Sequence, residues 1–335
     1  PLAKTLSPML LLPQPLIHIG YPKAASTWLQ QSLFNDERTG FYAPWGLPSY
    51  ESIEQFIIAN AFRFSAKDVR HKFETGLQEA AKLNLIPVIS EEFLIGHQME
   101  GKYWGKDVAD RLHSTFPEAR ILIIIREQKS EILSSYRQYI RRGDAASLSR
   151  FLGVGETRKP GIGAICQLDY FEYDLAIEYY HQLFGAENVL VLPFEVLVKD
   201  TQAASKKIIE FAGAKGSLTS NPIPKNVGFK AGTLMFRQQI NGFCVPPETP
   251  KSLRAFPWRV GYKLSELVDR FLPQKYHDRA ERYFRDFVAE SVGTTFQDSN
   301  QRTSHLIGID LAELGYDCGD RSLKQQKKVE LTTHH

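Results

Sequence analysis

Short apolar runs and amphipathic segments alternate along the first two thirds of the chain. The apolar runs predict strands at residues 15–20, 86–90, 120–126 and 188–194. Apolar residues at helical spacing predict helices at 27–34, 68–84, 105–115, 130–142 and 202–212. The run at 120–126 has five consecutive aliphatic residues without alternation, as in a parallel strand covered on both faces. The pattern therefore predicts an α/β fold of three layers, with a mainly parallel central sheet flanked by helices.

Two segments interrupt this alternation and predict long loops. Residues 143–163 are rich in Gly, Ser and Arg, and residues 241–260 contain four prolines. Ser130 is predicted to cap the helix at 130–142, and Gly143 to end it. Helical spacing returns at 261–292, without a linker that would divide the chain. We therefore expect one domain over residues 1–320 and a disordered basic tail at 321–335.

Composition narrows the function classes. The chain has 335 residues, with 41 Lys and Arg against 38 Asp and Glu. A net charge of +3 is too small for a dedicated nucleic-acid binder. Three scattered cysteines favour reduced thiols. The sequence shows no signal peptide and no apolar run long enough to span a membrane. Together these features predict a cytoplasmic protein. The nine histidines have no metal-ligand spacing, so no catalytic metal is predicted.

The turn after the first predicted strand has the composition of an anion site. It reads Gly20-Tyr21-Pro22-Lys23-Ala24-Ala25-Ser26-Thr27-Trp28. Small residues allow close backbone approach, free N–H groups at a helix start favour phosphate, and Lys23 adds a positive charge. The order of residues is not that of the Walker A motif, in which the lysine follows the glycines. The alternative interpretation is a capped helix with a solvated lysine.

A second candidate site follows the most apolar strand. Arg126 ends that strand, and Ser134 lies eight residues later in the next helix. An arginine and a hydroxyl placed in this way can bind one phosphate. The alternative is that Arg126 pairs with a neighbouring carboxylate and that Ser134 bonds back to its own turn.

Both segments resemble motifs of one enzyme family. Residues 17–29 resemble the 5′-phosphosulfate loop, P-K-x-G-T-T-W, of sulfotransferases that use 3′-phosphoadenosine 5′-phosphosulfate (PAPS), with Ala25 in place of Gly and Ser26 in place of the first Thr. Residues 126–136 are similar to the family's 3′-phosphate motif, R-x(7)-S-x-Y, including Tyr136. Because Ala tolerates a positive φ poorly, a left-handed Ala25 would put cofactor affinity or activity in doubt.

The resemblance implies a P-loop NTPase-like fold and a set of PAPS contacts. These residues are Lys23, Ala24, Ala25, Ser26, Thr27, Trp28, Arg126, Ser134 and Phe194, the last in place of a Tyr near the adenine. It also implies release of adenosine 3′,5′-bisphosphate (PAP), with no metal required. Residues 300–316 are similar to the C-terminal pattern of bacterial members. The acceptor would be a hydroxyl or amine of a small molecule or glycan, held by the inserted loops and C-terminal helices.

The general base has two candidates. Cytosolic small-molecule sulfotransferases use a His after the corresponding central strand, whereas this chain has Glu91 and Glu92 there, with His97 further on. This resembles carbohydrate-type sulfotransferases with a Glu base. Adjacent residues at a strand end point to opposite sides, so only one can face the cofactor. Glu92 is favoured and Glu91 is second; the alternative is that both cap the next helix. Lys23 would stabilise the leaving oxygen.

Two other functions stay open from the sequence. One is a P-loop-like kinase, and the other is a non-catalytic nucleotide-binding module, which Ala25 favours. Cations beyond Arg126 form either a solvated helix face or a site for an anionic acceptor; they are Lys129, Arg137, Arg141, Arg142, Arg158 and Lys159. Phe243, Phe256 and Trp258 either stack on a sugar or aromatic acceptor or belong to the core. The oligomeric state is left open.

Overall fold

A five-stranded parallel sheet forms the centre of the molecule. The computed structural model describes residues 12–99, 103–155, 163–218, 223, 228–243 and 255–319. The strands are β1 (Leu16–Gly20), β2 (Phe41–Tyr42), β3 (Ile86–Ser90), β4 (Arg120–Ile125) and β5 (Val189–Pro193). Their order is β2-β3-β1-β4-β5, and every neighbouring pair is parallel. The carboxyl ends of all the strands therefore lie at one edge of the sheet.

Helices connect these strands and continue after them. They are α1 (Ser26–Trp28), which runs on as a π-helical turn over Leu29–Phe34, α2 (Tyr50–Ser52), α3 (Ala66–Leu83), α4 (Gly105–Thr115), α5 (Gln128–Arg142), α6 (Leu148–Leu152), α7 (Tyr173–Phe184), α8 (Phe194–Lys199), α9 (Thr201–Ala212), α10 (Ala231–Asn241), α11 (Ala255–Phe271), α12 (Gln274–Val292) and α13 (Gln297–Ile307).

The sheet is covered on both faces, which explains its continuous apolar strands. On one face, Ile121, Ile123 and Ile125 share a buried cluster with residues of α3, α4, α5 and α7. On the other face, Leu122 and Ile124 share a second cluster with residues of the α1 segment and α9. Alternate β4 side chains thus enter different layers, as expected for a central strand. The three-layer α/β prediction is confirmed.

The structure corrects three predicted details. Helix α5 begins at Gln128, because the Glu127 carboxylate accepts hydrogen bonds from the N–H groups of Lys129 and Ser130; Ser130 is therefore not the N-cap. The predicted loop at 143–163 contains α6. The predicted loop at 241–260 contains the end of α10 and the start of α11.

Other predictions lie partly or wholly beyond the described residues. Gly143 ends α5 with φ 111°, as predicted. Arg158, Lys159 and the tail at 321–335 lie outside the described residues. The single domain over residues 1–320 stays a prediction.

Candidate functional site

The turn between β1 and α1 has an unusual backbone. Lys23 and Ala25 both have positive φ, 64° and 69°, although neither is a glycine. Ala25 is the residue immediately before α1, so the chain enters the helix from a left-handed conformation. Left-handed residues in such turns direct successive N–H groups to one side, where an anion can bind. Ala25 is therefore left-handed, which is the conformation that would put cofactor affinity or activity in doubt.

The side chains of this turn divide between the core and the site. Ala24 and Trp28 are buried in the cluster beneath the sheet, so they have only their backbone to offer a ligand. The hydroxyl of Ser26 is buried and has no hydrogen-bond partner among the described residues. Thr27 is exposed. An unsatisfied buried hydroxyl beside Lys23 fits a ligand with acceptor oxygens.

Arg126 joins the two sequence motifs. Its Nη1 donates to the carbonyl oxygen of Lys23 at 2.8 Å, and its Nη2 donates to Ser130 Oγ at 3.0 Å. Its Cζ lies 4.7 Å from the centre of the Phe194 ring, a cation–π contact. The Nε of Arg126 is buried without a hydrogen-bond partner in the described part of the chain. Phe194 and Ser130 thus hold a guanidinium that still has a donor to offer.

Ser134 and Tyr136 lie on different faces of α5. Ser134 lies one helical turn after Ser130 and is half-buried, on the face that Arg126 contacts. Tyr136 is buried, and its hydroxyl donates to the carbonyl oxygen of Ala146 at 3.2 Å. Ser134 is therefore placed to join Arg126, whereas Tyr136 packs into the core.

A buried carboxyl group lies behind Arg126. Tyr173 Oη is 2.6 Å from the carbonyl oxygen of Arg126 and 2.8 Å from Glu131 Oε2. A hydroxyl has only one proton, so both contacts are satisfied when protonated Glu131 donates to Tyr173 and Tyr173 donates to Arg126. Burial raises the pKa of Glu131 well above its usual range, which agrees with this assignment. The uncharged pair fixes the backbone of Arg126.

The two adjacent glutamates have different surroundings. Glu91 is buried, and its carboxylate accepts a hydrogen bond from the N–H of Phe93 at 3.0 Å, so it caps the short 3₁₀ turn over Glu92–Ile95. Burial raises the pKa of Glu91 to about 7. Burial also raises the pKa of Glu92, opposed by the nearby Ser26 hydroxyl and by the charges of Lys23 and Arg142. Although Ser26 is near enough to affect that pKa, the pair lacks hydrogen-bond geometry.

Glu92 is thus the glutamate that faces Lys23. Conversely, the charge of Glu92 raises the pKa of Lys23, but burial and the charges of Arg141, Arg126 and Arg142 outweigh it and lower that pKa. His97 accepts from the N–H of Met99 through Nδ1 at 3.0 Å. The structure therefore brings together Lys23, Ser26, Glu92 and Arg126.

A cleft of about 550 Å³ opens beside Lys23. Its lining includes Lys23, Gln138, Arg141, Arg142, Gly228, Phe229, Tyr262 and Asp269. Sequence reasoning included Arg141 and Arg142 only as members of a basic helix face, and it did not identify the residues contributed by α11. No local signal could have found Tyr262 or Asp269, since only the folded chain brings α11 to this edge of the sheet.

Other predicted site residues lie elsewhere. Phe243 and Phe256 are exposed and line a separate apolar groove, while Trp258 packs on Arg237. Arg137 forms an ion pair with Glu281 at 2.6 Å, and Lys129 forms one with Asp317 at 3.5 Å. In the described ranges, no cluster of three or more His, Cys, Asp or Glu residues has the arrangement of a metal site. Nor is any described helix both long and apolar enough to cross a membrane.

Comparison with known proteins places these features in a family. The family model described as "Sulfotransferase family" matches residues 15–216, more than half of the chain. That range contains the Lys23 turn, Glu92 and Arg126. None of the curated proteins is significantly similar in sequence.

Several solved structures with a detectable likeness have sequences less than 20% identical to this chain. A sulfotransferase from Alicyclobacillus acidocaldarius is 17% identical, with a TM-score of 0.46, over 78% of this chain and 98% of that chain. Mouse sulfotransferase SULT7A1, complexed with PAP, is 14% identical, with a TM-score of 0.34, over 88% of this chain and 89% of that chain. The sulfotransferase domain from the curacin biosynthetic pathway is 13% identical, with a TM-score of 0.35, over 73% of this chain and 83% of that chain.

Proposed function

Because this chain belongs to the sulfotransferase family, we propose that it transfers a sulfuryl group from PAPS to an acceptor hydroxyl. The observation that supports this most directly is the meeting of Lys23, Glu92 and Arg126 at the carboxyl edge of the sheet. Ligands bind at this edge in open α/β sheets. In this site Lys23 would stabilise the leaving oxygen, Glu92 would accept a proton and Arg126 would bind the second phosphate.

The residues present fit the donor. The left-handed turn at Lys23 and Ala25, together with the unpartnered Ser26 hydroxyl, would hold the 5′-phosphosulfate. The unpartnered Nε of Arg126, with Ser134 on the same helix face, would hold the 3′-phosphate. Thr27 and the backbone of Ala24 and Trp28 complete the turn, and Phe194 would act by stacking on Arg126. The proposal thus gives a role to each residue that the sequence predicted to bind the cofactor, and Trp28 and Ala24 would act through their backbone.

The chemistry divides between two side chains. Bound PAPS supplies a sulfuryl group joined to a phosphate oxygen that leaves with negative charge. The ammonium of Lys23 stabilises that charge, a role worth about 10²–10³ in rate in comparable sites. The Glu92 carboxylate accepts the proton of the acceptor hydroxyl, a role worth roughly 10²–10⁴. Glu91 supports the turn that carries Glu92, because its own carboxylate is occupied by the N–H of Phe93.

We propose a carbohydrate as the acceptor. The cleft beside Lys23 combines charged and amide groups with the aromatic rings of Phe229 and Tyr262. Sugars offer many hydroxyls and an apolar ring face that stacks on such rings. Asp269 and Gln138 would accept or donate hydrogen bonds to hydroxyls that do not react. An amine is the less suitable acceptor, because Arg141 and Arg142 would repel its cationic form.

We also propose a reducing compartment such as the cytoplasm for this activity. Cys166 is buried and forms no disulfide bond, and burial raises the pKa of its thiol. Buried neutral thiols of this kind are compatible with a chain that is folded without disulfide bonds.

A calorimetric titration separates this proposal from a kinase. We expect PAP to bind without metal and ATP–Mg²⁺ to bind at least tenfold more weakly, because Arg126 and Ser134 are placed for a 3′-phosphate that ATP lacks. Arg126→Ala should weaken PAP binding at least tenfold. Arg38→Ala is the matched control, since Arg38 is exposed and paired with Asp36. Preferential binding of ATP–Mg²⁺ would favour the kinase, and tight PAP binding without turnover on any acceptor would favour the non-catalytic module.

A further inference from the structure

One face of α11 is apolar and open to solvent. Five of its side chains share this face at spacings of four, four, three and four residues, which places them in one line on a helix. They are Phe256, Val260, Leu264, Leu267 and Phe271, and we call them the apolar stripe. Phe256 and Phe271, at its two ends, are 74% and 70% exposed. The stripe is about 22 Å long, given the rise of 1.5 Å per residue.

The opposite face of α11 is held against α10, so the stripe cannot turn inward. Arg237 of α10 is buried, and its Cζ lies 4.5 Å from the centre of the Trp258 ring and 5.1 Å from that of Tyr262. Its Nη1 donates to Ser265 Oγ at 3.3 Å. The buried guanidinium of Arg237 thus contacts three residues of α11, namely Trp258, Tyr262 and Ser265. Rotating the helix to hide the stripe would break all these contacts.

Cations line one edge of the apolar stripe. Arg259, Lys263 and Arg270 are exposed and fall on the same flank at helical spacing, with Glu266 the acidic residue among them. The Cζ of Arg270 lies 5.5 Å from the centre of the Phe271 ring. On the other edge, Phe243, in the turn that follows α10, is 87% exposed and borders an apolar groove of about 290 Å³ with Phe256, Val260 and Leu264. The surface is therefore apolar in the middle and positive along one side.

We propose that this surface binds the face of an anionic lipid bilayer, with α11 lying in the plane of the membrane. Aromatic and aliphatic side chains enter the boundary between headgroups and acyl chains in such helices, while flanking Lys and Arg contact anionic headgroups. A second copy of this chain is the weaker alternative. Antiparallel two-fold pairing of the stripe would place the cation rows of the two copies side by side, where they repel.

The position of the cleft gives this surface a role in presenting the acceptor. Tyr262 and Asp269 line the cleft beside Lys23 from the opposite side of the same helix. One helix diameter, about 10 Å, therefore separates the bilayer-facing stripe from the cleft wall. The binding proposal itself does not depend on the proposed activity, so it is tested with lipids alone.

Vesicle co-sedimentation of the full chain tests the proposal. We expect binding to vesicles of phosphatidylcholine and phosphatidylglycerol mixed at about 7:3, and at least tenfold weaker binding to phosphatidylcholine alone. Leu264→Ser with Leu267→Ser removes exposed apolar area, and Arg259→Glu with Lys263→Glu reverses the flank. Each pair should weaken binding to the mixed vesicles about tenfold or more.

Matched controls separate the stripe from general surface effects. Phe62→Ser changes a fully exposed side chain in the 3₁₀ turn over Ala61–Arg63, and Lys206→Glu with Lys207→Glu changes two exposed lysines of α9. Both controls should bind the mixed vesicles like the unaltered chain. Unchanged melting temperatures would show that all the variants are folded.

Three results would overturn the proposal. The first is no binding to the mixed vesicles, and the second is equal binding by the stripe variants and the unaltered chain. The third is light scattering that shows a dimer which the Leu264→Ser, Leu267→Ser pair converts to monomer, together with no vesicle binding. That last result would assign the stripe to a second copy of the chain. A failure here leaves PAP binding unaffected, so it is distinguishable from a failure of the proposed activity.

Discussion

Ala25 is a residue with a side chain in a backbone position that favours glycine. At φ 69° its Cβ crowds the backbone, and a left-handed residue of this kind costs about 1–2 kcal/mol. The turn keeps this conformation because Leu29 donates its N–H to the carbonyl oxygen of Ala25 at 3.0 Å and Ala24 is anchored in the core. Strain at this position thus lies within the part of the chain that would contact the donor.

Replacing Ala25 with glycine should relieve that strain. We expect Ala25→Gly to stabilise the fold by about 1 kcal/mol and to leave PAP affinity equal or higher. Ala24→Gly is the matched control: Ala24 does not have positive φ and is buried, so it should lose about 1 kcal/mol. Denaturant unfolding of the three proteins measures this, and a destabilised Ala25→Gly would show that the left-handed turn is not strained.

Glu92 and Glu91 differ in a way that a pH profile can detect. Burial raises the pKa of Glu92, and a general base must be ionised, so kcat/KM should fall as the pH drops through a value above the usual range for glutamate. Glu92→Gln should lower kcat by about 10²–10⁴. Glu91→Gln keeps an oxygen for the N–H of Phe93 and should change kcat less than about tenfold. The reverse order of effects would make Glu91 the base.

Helix α5 connects the candidate site to the rest of the fold. Its first turn is capped by Glu127, whose own N–H donates to Glu195 Oε1 at 3.1 Å, and Glu195 Oε2 accepts from the hydroxyl of Tyr316 at 2.9 Å. One turn later, Glu131 and Tyr173 fix the backbone of Arg126. The position of Arg126 therefore depends on α8, which carries Glu195, on α7, which carries Tyr173, and on the C-terminal segment with Tyr316.

Glu131 should make stability depend on pH. Its folded-state pKa is raised well above the unfolded value, so its contribution is intact at low pH and is lost as the pH rises from the unfolded pKa toward the folded one. Glu131→Gln can donate to Tyr173 without ionising. We compare the melting temperature of Glu131→Gln with that of the unaltered chain at each pH. The difference, variant minus unaltered chain, should increase by about 2–4 °C from pH 5 to pH 8. A pH-independent difference between the two proteins would contradict a protonated Glu131.

The elements differ in how far sequence could predict them. β4 was predictable because five buried aliphatics in a row require cover on both faces, and the two phosphate motifs because each spans one strand–turn–helix unit. β2 has two residues, too few for a periodic signal, and its place at the sheet edge depends on pairing with β3. α11 starts within a proline-rich stretch, so its first residues, among them Phe256 and Val260, were interpreted as part of the loop at 241–260. Long-range proximity, such as Arg142 to Glu92, has no local signature.

At the scale of the whole molecule, an almost balanced charge conceals an uneven distribution. The net charge is only +3, yet Lys23, Arg141 and Arg142 line one cleft, and Arg259, Lys263 and Arg270 line one helix edge. Cations concentrated in a cleft raise the local concentration of a multiply charged anion such as PAPS. A small net charge therefore does not argue against this donor.

Transfer of labelled sulfate from PAPS, screened over a panel of carbohydrate acceptors, tests the proposed activity most directly. We expect the full chain to label at least one acceptor and to release PAP in equal amount. Lys23→Ala should reduce turnover about 10²–10³-fold and Glu92→Gln about 10²–10⁴-fold, while Arg38→Ala should retain it. Labelling that is unchanged by both Lys23→Ala and Glu92→Gln, or absent from every acceptor although PAP binds, would contradict the assignment of this site as a sulfuryl-transfer centre.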